Sequence, residues 1–337
     1  MFALLAVVLA DCSYGHPLVG VFPRPAADSG DPTLSLMVLL ATPASASVAT
    51  GRARPPDAFS GLKLWLEADQ IAGTDGQPLS TWLDLSGQGN HATQSTPAQM
   101  PLYKGAGINS LPGVEFSPGL TPGTNLTLGA NYLFSQNDGL TVFAVARSNA
   151  EDSTVSYLMD FGKNGQGGYG LIYSSNNDGV GNNITLYTPI NVGGVFVSAA
   201  TVSPVDAAAI VVGHVKFDPA ADKNQTLHLN GTQVATSSAL TLSQITSDEI
   251  CRSPARGINN PLPLPNSATT CSGGAFSYGP VVIGGQSKRS AEAGRFFDGD
   301  IALIVWYDRV LNDDERQALE CYASVKYSIG VAHSCSL

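Results

Sequence analysis

The sequence predicts an all-β fold: two antiparallel sheets packed as a jelly-roll sandwich, with a short C-terminal helix. Three observations carry this. Short runs rich in Val, Ile, Thr and aromatic residues recur along the chain, separated by Gly, Asn and Pro turns. Several alternate, as where Thr141, Phe143 and Val145 oppose Val142, Ala144 and Ala146. No strand–helix–strand alternation occurs, which argues against a parallel nucleotide-binding sheet and for two packed antiparallel sheets.

In chain order the predicted strands are 62–67, 81–85, 113–116, 140–147, 157–161, 169–173, 184–187, 195–199, 209–217, 226–229, 281–283 and 301–307. Segment 209–217 is apolar nearly throughout, as suits a strand covered on both faces. Asn230-Gly231 stands between two alternating runs, and both residues tolerate positive φ, so a hairpin is predicted there. Segment 247–277 has little strand character and reads as a long loop. Beyond 301–307, Asn312 is placed to cap a helix, with Glu315 three residues on to return the hydrogen bond. Asp313 and Asp314 suit the positive helix end. Leu319, Tyr322, Ala323 and Lys326 then recur at helical spacing.

Four stretches resemble a known family. They are G-L-K-L-W-L-E-A-D from Gly61, S-T-W-L-D-L-S-G-Q-G-N-H-A-T from Ser80, Q-T-L-H-L-N-G-T-Q-V-A from Gln225, and the strand–turn–helix of 296–327. Together they resemble the concanavalin A-like lectin/glucanase superfamily in its laminin-G-like (LamG) branch, over roughly residues 57–328. The resemblance implies the sandwich fold. It implies function only loosely, since one fold hosts many activities.

Composition narrows the partners. Of 337 residues only 13% are charged, and the net charge is −10. Nucleic acid and anionic membrane are therefore poor partners. Residues 1–56 are expected to be a leader, signal-like or disordered, ahead of one domain at 57–337. The apolar run at 2–10 is too short to span a bilayer. A second run at 34–41 precedes Ala44-Ser45-Ala46, the A-x-A form of a signal-peptidase site. An exported, secreted or cell-surface protein is the expectation.

Five cysteines fit that compartment. Cys251 with Cys271, and Cys321 with Cys335, are spaced as local disulfides, each contributing about 3 kcal/mol if unstrained. Cys12 is left over in the leader. A buried free thiol at Cys321 is the alternative. Sequons begin at Asn125, Asn183, Asn224 and Asn230, and matter only in a host that glycosylates them.

The glucanase relatives cut with carboxylates in an E-x-D-x-x-E strand pattern. Here Glu67-Ala68-Asp69 is followed by Ala72 where the third acid belongs, so Glu67 and Asp69 read as an exposed strand end and no catalytic residue is assigned. Residues 165–170 satisfy G-x-G-x-x-G, but a strand follows where a dinucleotide site needs a helix. The five histidines show no H-E-x-x-H or paired metal spacing, and His214 and His228 read as structural strand residues.

Two oxygen-rich features remain. Asn176, Asn177, Asp178 and Asn182, followed by Tyr187, supply amides, a carboxylate and a ring suited to sugar hydroxyls and a sugar's apolar face, or simply to a tight strand connection. Asp84, Asn90, Asp298 and Asp300 stand near the two ends of the domain. The resemblance implies Ca²⁺ held there by carboxylates, with turn-capping Asp residues as the plainer account. Trp65, Trp82 and Trp306 lie within the family-like strands, and at least two are expected in the core.

The expected function is an exported, non-catalytic binding module for carbohydrate or an extracellular protein surface. The alternative is a structural or adhesive subunit of an extracellular sheath, filament or envelope, able to self-assemble. A glycoside hydrolase or polysaccharide lyase ranks below both.

Overall fold

The computed structural model describes residues 51–117, 119, 123–128, 139–149, 156–161, 169–175, 183–188, 195–202, 206–216, 225–236, 281–285 and 296–336. These belong to one compact unit, Ala49–Leu337. In chain order its strands are β1 (Gly51–Arg52), β2 (Leu62–Glu67), β3 (Thr81–Trp82), β4 (Ala92–Thr93), β5 (Leu102–Ile108), β6 (Leu111–Phe116), β7 (Leu126–Thr127), β8 (Gly139–Ser148) and β9 (Tyr157–Phe161). They continue with β10 (Tyr169–Ser175), β11 (Asn183–Thr188), β12 (Val195–Val202), β13 (Ala209–Lys216), β14 (Gln225–Leu229), β15 (Thr232–Thr236), β16 (Val282–Ile283), β17 (Gly299–Tyr307) and β18 (Cys335–Ser336). Helix α1 (Asp313–Tyr327) lies between the last two.

Two antiparallel sheets result. One runs β12-β11-β10-β9-β16-β7-β4-β3, and the other β15-β14-β13-β8-β17-β6-β5. Strand β2 joins the second sheet by pairing with β17 beyond the point where β6 ends, so β6 and β2 share one edge of β17 and β8 takes the other. A third, parallel pair, β1 with β18, ties the two ends of the unit together.

The period-2 alternation divides the core into two layers. Leu64, Leu66, Phe116, Val142, Ala144, Val211, Leu227, Ile304 and Trp306 fill the space between the sheets. Their neighbours Phe143, Val145, Ile210, Val212, Leu303, Val305 and Tyr307 face the other way, onto Leu319, Ala323 and Tyr327 of the helix. All nine residues of β17 are consequently buried. The apolar run in β13 is also covered on both faces, as its composition predicts.

The helix begins as the sequence indicates. Asn312 accepts a hydrogen bond from the Glu315 backbone N–H at 2.9 Å, and the Glu315 carboxylate accepts one from the Asn312 N–H at 3.0 Å. Arg309 grips both Glu315 oxygens at 2.7 Å, fixing the turn between β17 and the helix. The tail is fastened by a disulfide between Cys321 and Cys335, so Cys321 is not a free thiol. Trp82 and Trp306 are core residues, whereas Trp65 is half-buried. Cys251 and Cys271 lie outside the described residues. No helix among the described residues is long and apolar enough to cross a membrane.

Candidate functional site

A cleft of about 360 Å³ opens where β2 leaves the second sheet. Its floor and walls come from two short segments. A 3₁₀ turn, Ala68–Gln70, follows β2 directly. The loop beyond it is laced to β5: Gly76 N–H donates to Tyr103 O at 2.8 Å, Tyr103 N–H to Gln77 O at 2.9 Å, and Leu79 N–H to Pro101 O at 2.8 Å. The Gln77 side-chain carbonyl accepts from Thr74 N–H at 3.1 Å, and Asp75 accepts from Gly105 N–H at 2.8 Å. These bonds hold the loop in place over the sheet edge.

The lining suits neutral polar ligands. Gln70 and Gln77 bring amides and Ser80 and Thr81 bring hydroxyls, all four residues being exposed. Ile71, Leu79 and Leu83 supply apolar surface, and Tyr103 a ring. Leu83 is 56% exposed, a large apolar side chain left open at the rim. Trp82 also lines the cleft, and its buried indole N–H has no hydrogen-bond partner among the described residues.

Glu67 is the one acid among the described residues of the lining. The sequence places it at an exposed strand end; the structure corrects this. It is 2% exposed, because the closing helix packs over the end of β2. Its carboxylate accepts hydrogen bonds from Trp65 Nε1 at 3.1 Å, Tyr322 OH at 2.9 Å, Lys326 Nζ at 2.8 Å and Tyr327 OH at 3.2 Å. Lys326 also reaches Asp69 at 2.7 Å. Burial and then the Glu67 carboxylate push the Tyr322 and Tyr327 phenols well above their ordinary range, so both hydroxyls stay donors. Burial opposes the Lys326 ammonium, but its bonds to Asp69 and Glu67 outweigh that and raise its pKa. Glu67 is thus a docking post for the helix with its lone pairs spoken for.

The residues proposed for calcium fall into two separate places. Asp84 and Asn90 meet within one Gly-rich turn: Asp84 accepts from Trp65 N–H at 3.0 Å, Ser86 N–H at 2.9 Å, Ser86 Oγ at 2.7 Å and Asn90 N–H at 2.8 Å. Asn90 Nδ2 donates to Lys63 O at 2.8 Å. Asp300 instead pairs with Arg147 at 2.5 Å, and the Asp298 carbonyl accepts from Asn149 N–H at 3.0 Å. Asp84 bridges Leu66, which pairs with Ile304. Four residues of extended strand separate Ile304 from Asp300, roughly 13 Å. Burial, the largest influence, raises the Asp300 pKa against the opposing pull of Arg147.

Asn176, Asn177, Asp178 and Asn182 lie outside the described residues, and Tyr187 is placed on β11 by its backbone alone. Sequence reasoning missed the cleft because its lining residues alternate with nothing: they come from a turn, a loop and a facing strand. The one signal was the G-T-D-G-Q-P run at 73–78, whose turn residues announce a tight loop and no more.

No family model and no curated protein matches this chain. Solved structures do. The binding domain of Paraclostridial Mosquitocidal Protein 1 aligns at 15% identity and a TM-score of 0.46, over 77% of this chain and 52% of that one. Domain 4 of AbnA, an extracellular GH43 arabinanase from Geobacillus stearothermophilus solved with arabinotriose, aligns at 10% identity and a TM-score of 0.47, over 77% of this chain and 98% of that domain. Trypanosoma rangeli sialidase aligns at 17% identity and a TM-score of 0.43, over 80% of this chain. The alignment spans about half of the mosquitocidal protein domain and 33% of the sialidase. The sandwich assignment rests on the strand pairing above, independently of these scores.

Proposed function

We propose that the domain is an exported, non-catalytic module whose cleft binds carbohydrate. The observation that supports this most is the make-up of the cleft. Gln70, Gln77, Ser80 and Thr81 line it together with Ile71, Leu79, Leu83 and Tyr103. Sugars need that mixture: hydroxyls pair with amides, and their C–H faces pack on apolar and aromatic groups. Glycoside hydrolysis by the usual route needs a pair of carboxylates about 5–10 Å apart across the scissile bond. The lining offers Glu67 alone, saturated by four donors. The Cys321–Cys335 disulfide supports an oxidising, extracellular setting. The W-L-E-A-D and W-L-D-L-S-G-Q-G-N stretches support kinship with the laminin-G-like branch.

Glycan-array screening of the full chain tests the proposal. Binding to at least one glycan class is expected, and Gln70→Ala or Thr81→Ala is expected to weaken it by about tenfold, the cost of one or two lost hydrogen bonds. Binding that both substitutions leave unchanged would move the ligand elsewhere. No binding to any glycan would end the carbohydrate reading.

A further inference from the structure

We propose that Cys321, His333 and Cys335, once the disulfide between the two cysteines is reduced, form a zinc site that holds the tail to the helix in the disulfide's place. One ligand atom from each of the three residues lies within 4.8 Å of the others. They come from two elements, Cys321 from α1 and the His333-Ser334-Cys335 run from the tail, so a shared ion would clamp one onto the other.

The histidine is prepared for this. Its side chain is 10% exposed. Nε2 lies 3.3 Å from the Gln317 carbonyl, which can only accept, so Nε2 carries the proton. The Nδ1 lone pair is buried and has no hydrogen-bond partner among the described residues. A ring whose outer N–H donates to a backbone carbonyl is the arrangement that metal-bound histidines commonly show. The Glu320 carboxylate, held by Arg316 at 2.6 Å, stands 3.7 Å from the same Nε2, beyond hydrogen-bond distance. Gly231 makes room: a Cβ there would sit 2.8 Å from His333 Nδ1 and 3.0 Å from the Ala332 nitrogen.

The dimensions fit. Zinc takes thiolate sulfur at about 2.3 Å and imidazole nitrogen at about 2.0–2.1 Å, which sets tetrahedral ligand atoms roughly 3.5–3.8 Å apart. The observed grouping needs only modest adjustment within the His333–Cys335 run, whose far end is paired with β1. Water completes the four positions. The chemistry balances in two steps. A dithiol reductant gives two electrons and two protons to the Cys321–Cys335 bond and becomes a disulfide itself. Zn²⁺ then displaces the two thiol protons and binds both thiolates and His333. Exchange with an oxidised dithiol, which takes up the two electrons and two protons to become a dithiol, re-forms the Cys321–Cys335 bond and releases the ion, so metal and disulfide exclude each other. Zinc would serve the reduced chain and the disulfide the exported one. None of this depends on the carbohydrate reading.

The experiment compares zinc uptake by the full chain, stripped of metal, in oxidised form and after reduction with a phosphine. A chromophoric chelator reports affinity, and Co²⁺ substitution reports sulfur ligation through its thiolate charge-transfer band. Cys12, Cys251 and Cys271 are present in every sample, so the difference between samples is what counts. Reduced wild type is expected to bind one equivalent more than reduced Cys321→Ser or Cys335→Ser, the latter altering only a half-buried tail position. His333→Gln is expected to keep the cobalt–thiolate band but to weaken binding at least about tenfold. Equal uptake by reduced wild type and both serine variants would overturn the proposal. So would unchanged affinity in His333→Gln, or equal uptake by oxidised and reduced wild type.

Discussion

The Glu67 carboxylate and the Lys326 ammonium lie 2.8 Å apart, joining the first long strand to the helix that closes the fold. Glu67 is almost fully buried, while the Lys326 side chain keeps 21% of its surface. The two ends of this pair should therefore not be equivalent. Glu67→Ala takes away the acceptor of Trp65 Nε1 and of the Tyr322 hydroxyl and leaves Tyr327 OH only the Ala302 carbonyl at 3.4 Å, at an expected cost of about 3–5 kcal/mol. Glu67→Gln keeps one acceptor and should cost less. Lys326→Met should cost about 1 kcal/mol, as for a partly exposed pair. Urea unfolding of the three variants checks the order; a Glu67→Ala protein as stable as wild type would show the network to be idle.

The buried histidines make the protein acid-sensitive. His214 on β13 and His228 on β14 face the helix with ring centroids 5.5 Å apart. Burial lowers His214 to about 3, with His228 and Arg316 adding to the effect. Burial, then Arg316, lowers His228 to about 4, and Asp313 opposes the shift in both. Both rings stay neutral in the fold at pH values where the unfolded chain protonates them. Stability from this source is complete above about pH 6.5 and falls as pH drops toward 4, by about 2 kcal/mol per histidine between pH 7 and 5. Denaturation midpoints measured across that range should fall on acidification, and His214→Leu should flatten the slope. Burial raises Glu320 to about 7, which acts with the opposite sign over the same range, so the difference between the two proteins decides: a His214→Leu slope equal to that of wild type would contradict the burial of these rings.

The disulfide closes a short loop between helix and tail, 14 residues in sequence. Cys321→Ser should cost about 3 kcal/mol. Wild type melted with a reductant, in the absence of metal, should lose a similar amount. Differential scanning calorimetry with and without reductant compares the two directly, and Cys321→Ser should show no further loss from this bond on reduction.

Helix capping gives a smaller effect. Asn312→Ala removes the side-chain half of a complete capping box and should cost about 1 kcal/mol. Asn312→Asp should retain most of it. Thermal melts of the pair decide, and equal losses in both would mean that the side-chain acceptor is not what matters.

The capping box, the Asn230-Gly231 hairpin and the double-sided β13 were legible in the sequence because each is set by neighbours a few residues apart. Asn230 and Gly231 take φ of 48° and 80°, as that turn demands. Glu67 was not legible, for the opposite reason. Its partners Tyr322 and Tyr327 stand 255 and 260 residues away, so nothing beside it announces that a helix will cover it. Strand β5 escaped as well, since Gly105 and Gly107 interrupt its pattern and resemble a loop. Yet a Cβ at Gly107 would come within 2.9 Å of the Gly113 backbone on β6, so glycine is what lets the two strands close up. The cleft is a meeting of segments with no shared period, and only their assembly reveals it.

Gly51–Arg52 runs parallel to Cys335–Ser336, with Ala53 N–H donating to Ser336 O at 2.9 Å. The chain thus enters and leaves this unit through a single doorway. A partner spliced onto either flank would sprout from the same corner, and the whole unit should tolerate insertion into a surface loop of another protein, or circular permutation through a brief linker, without disturbing the sandwich.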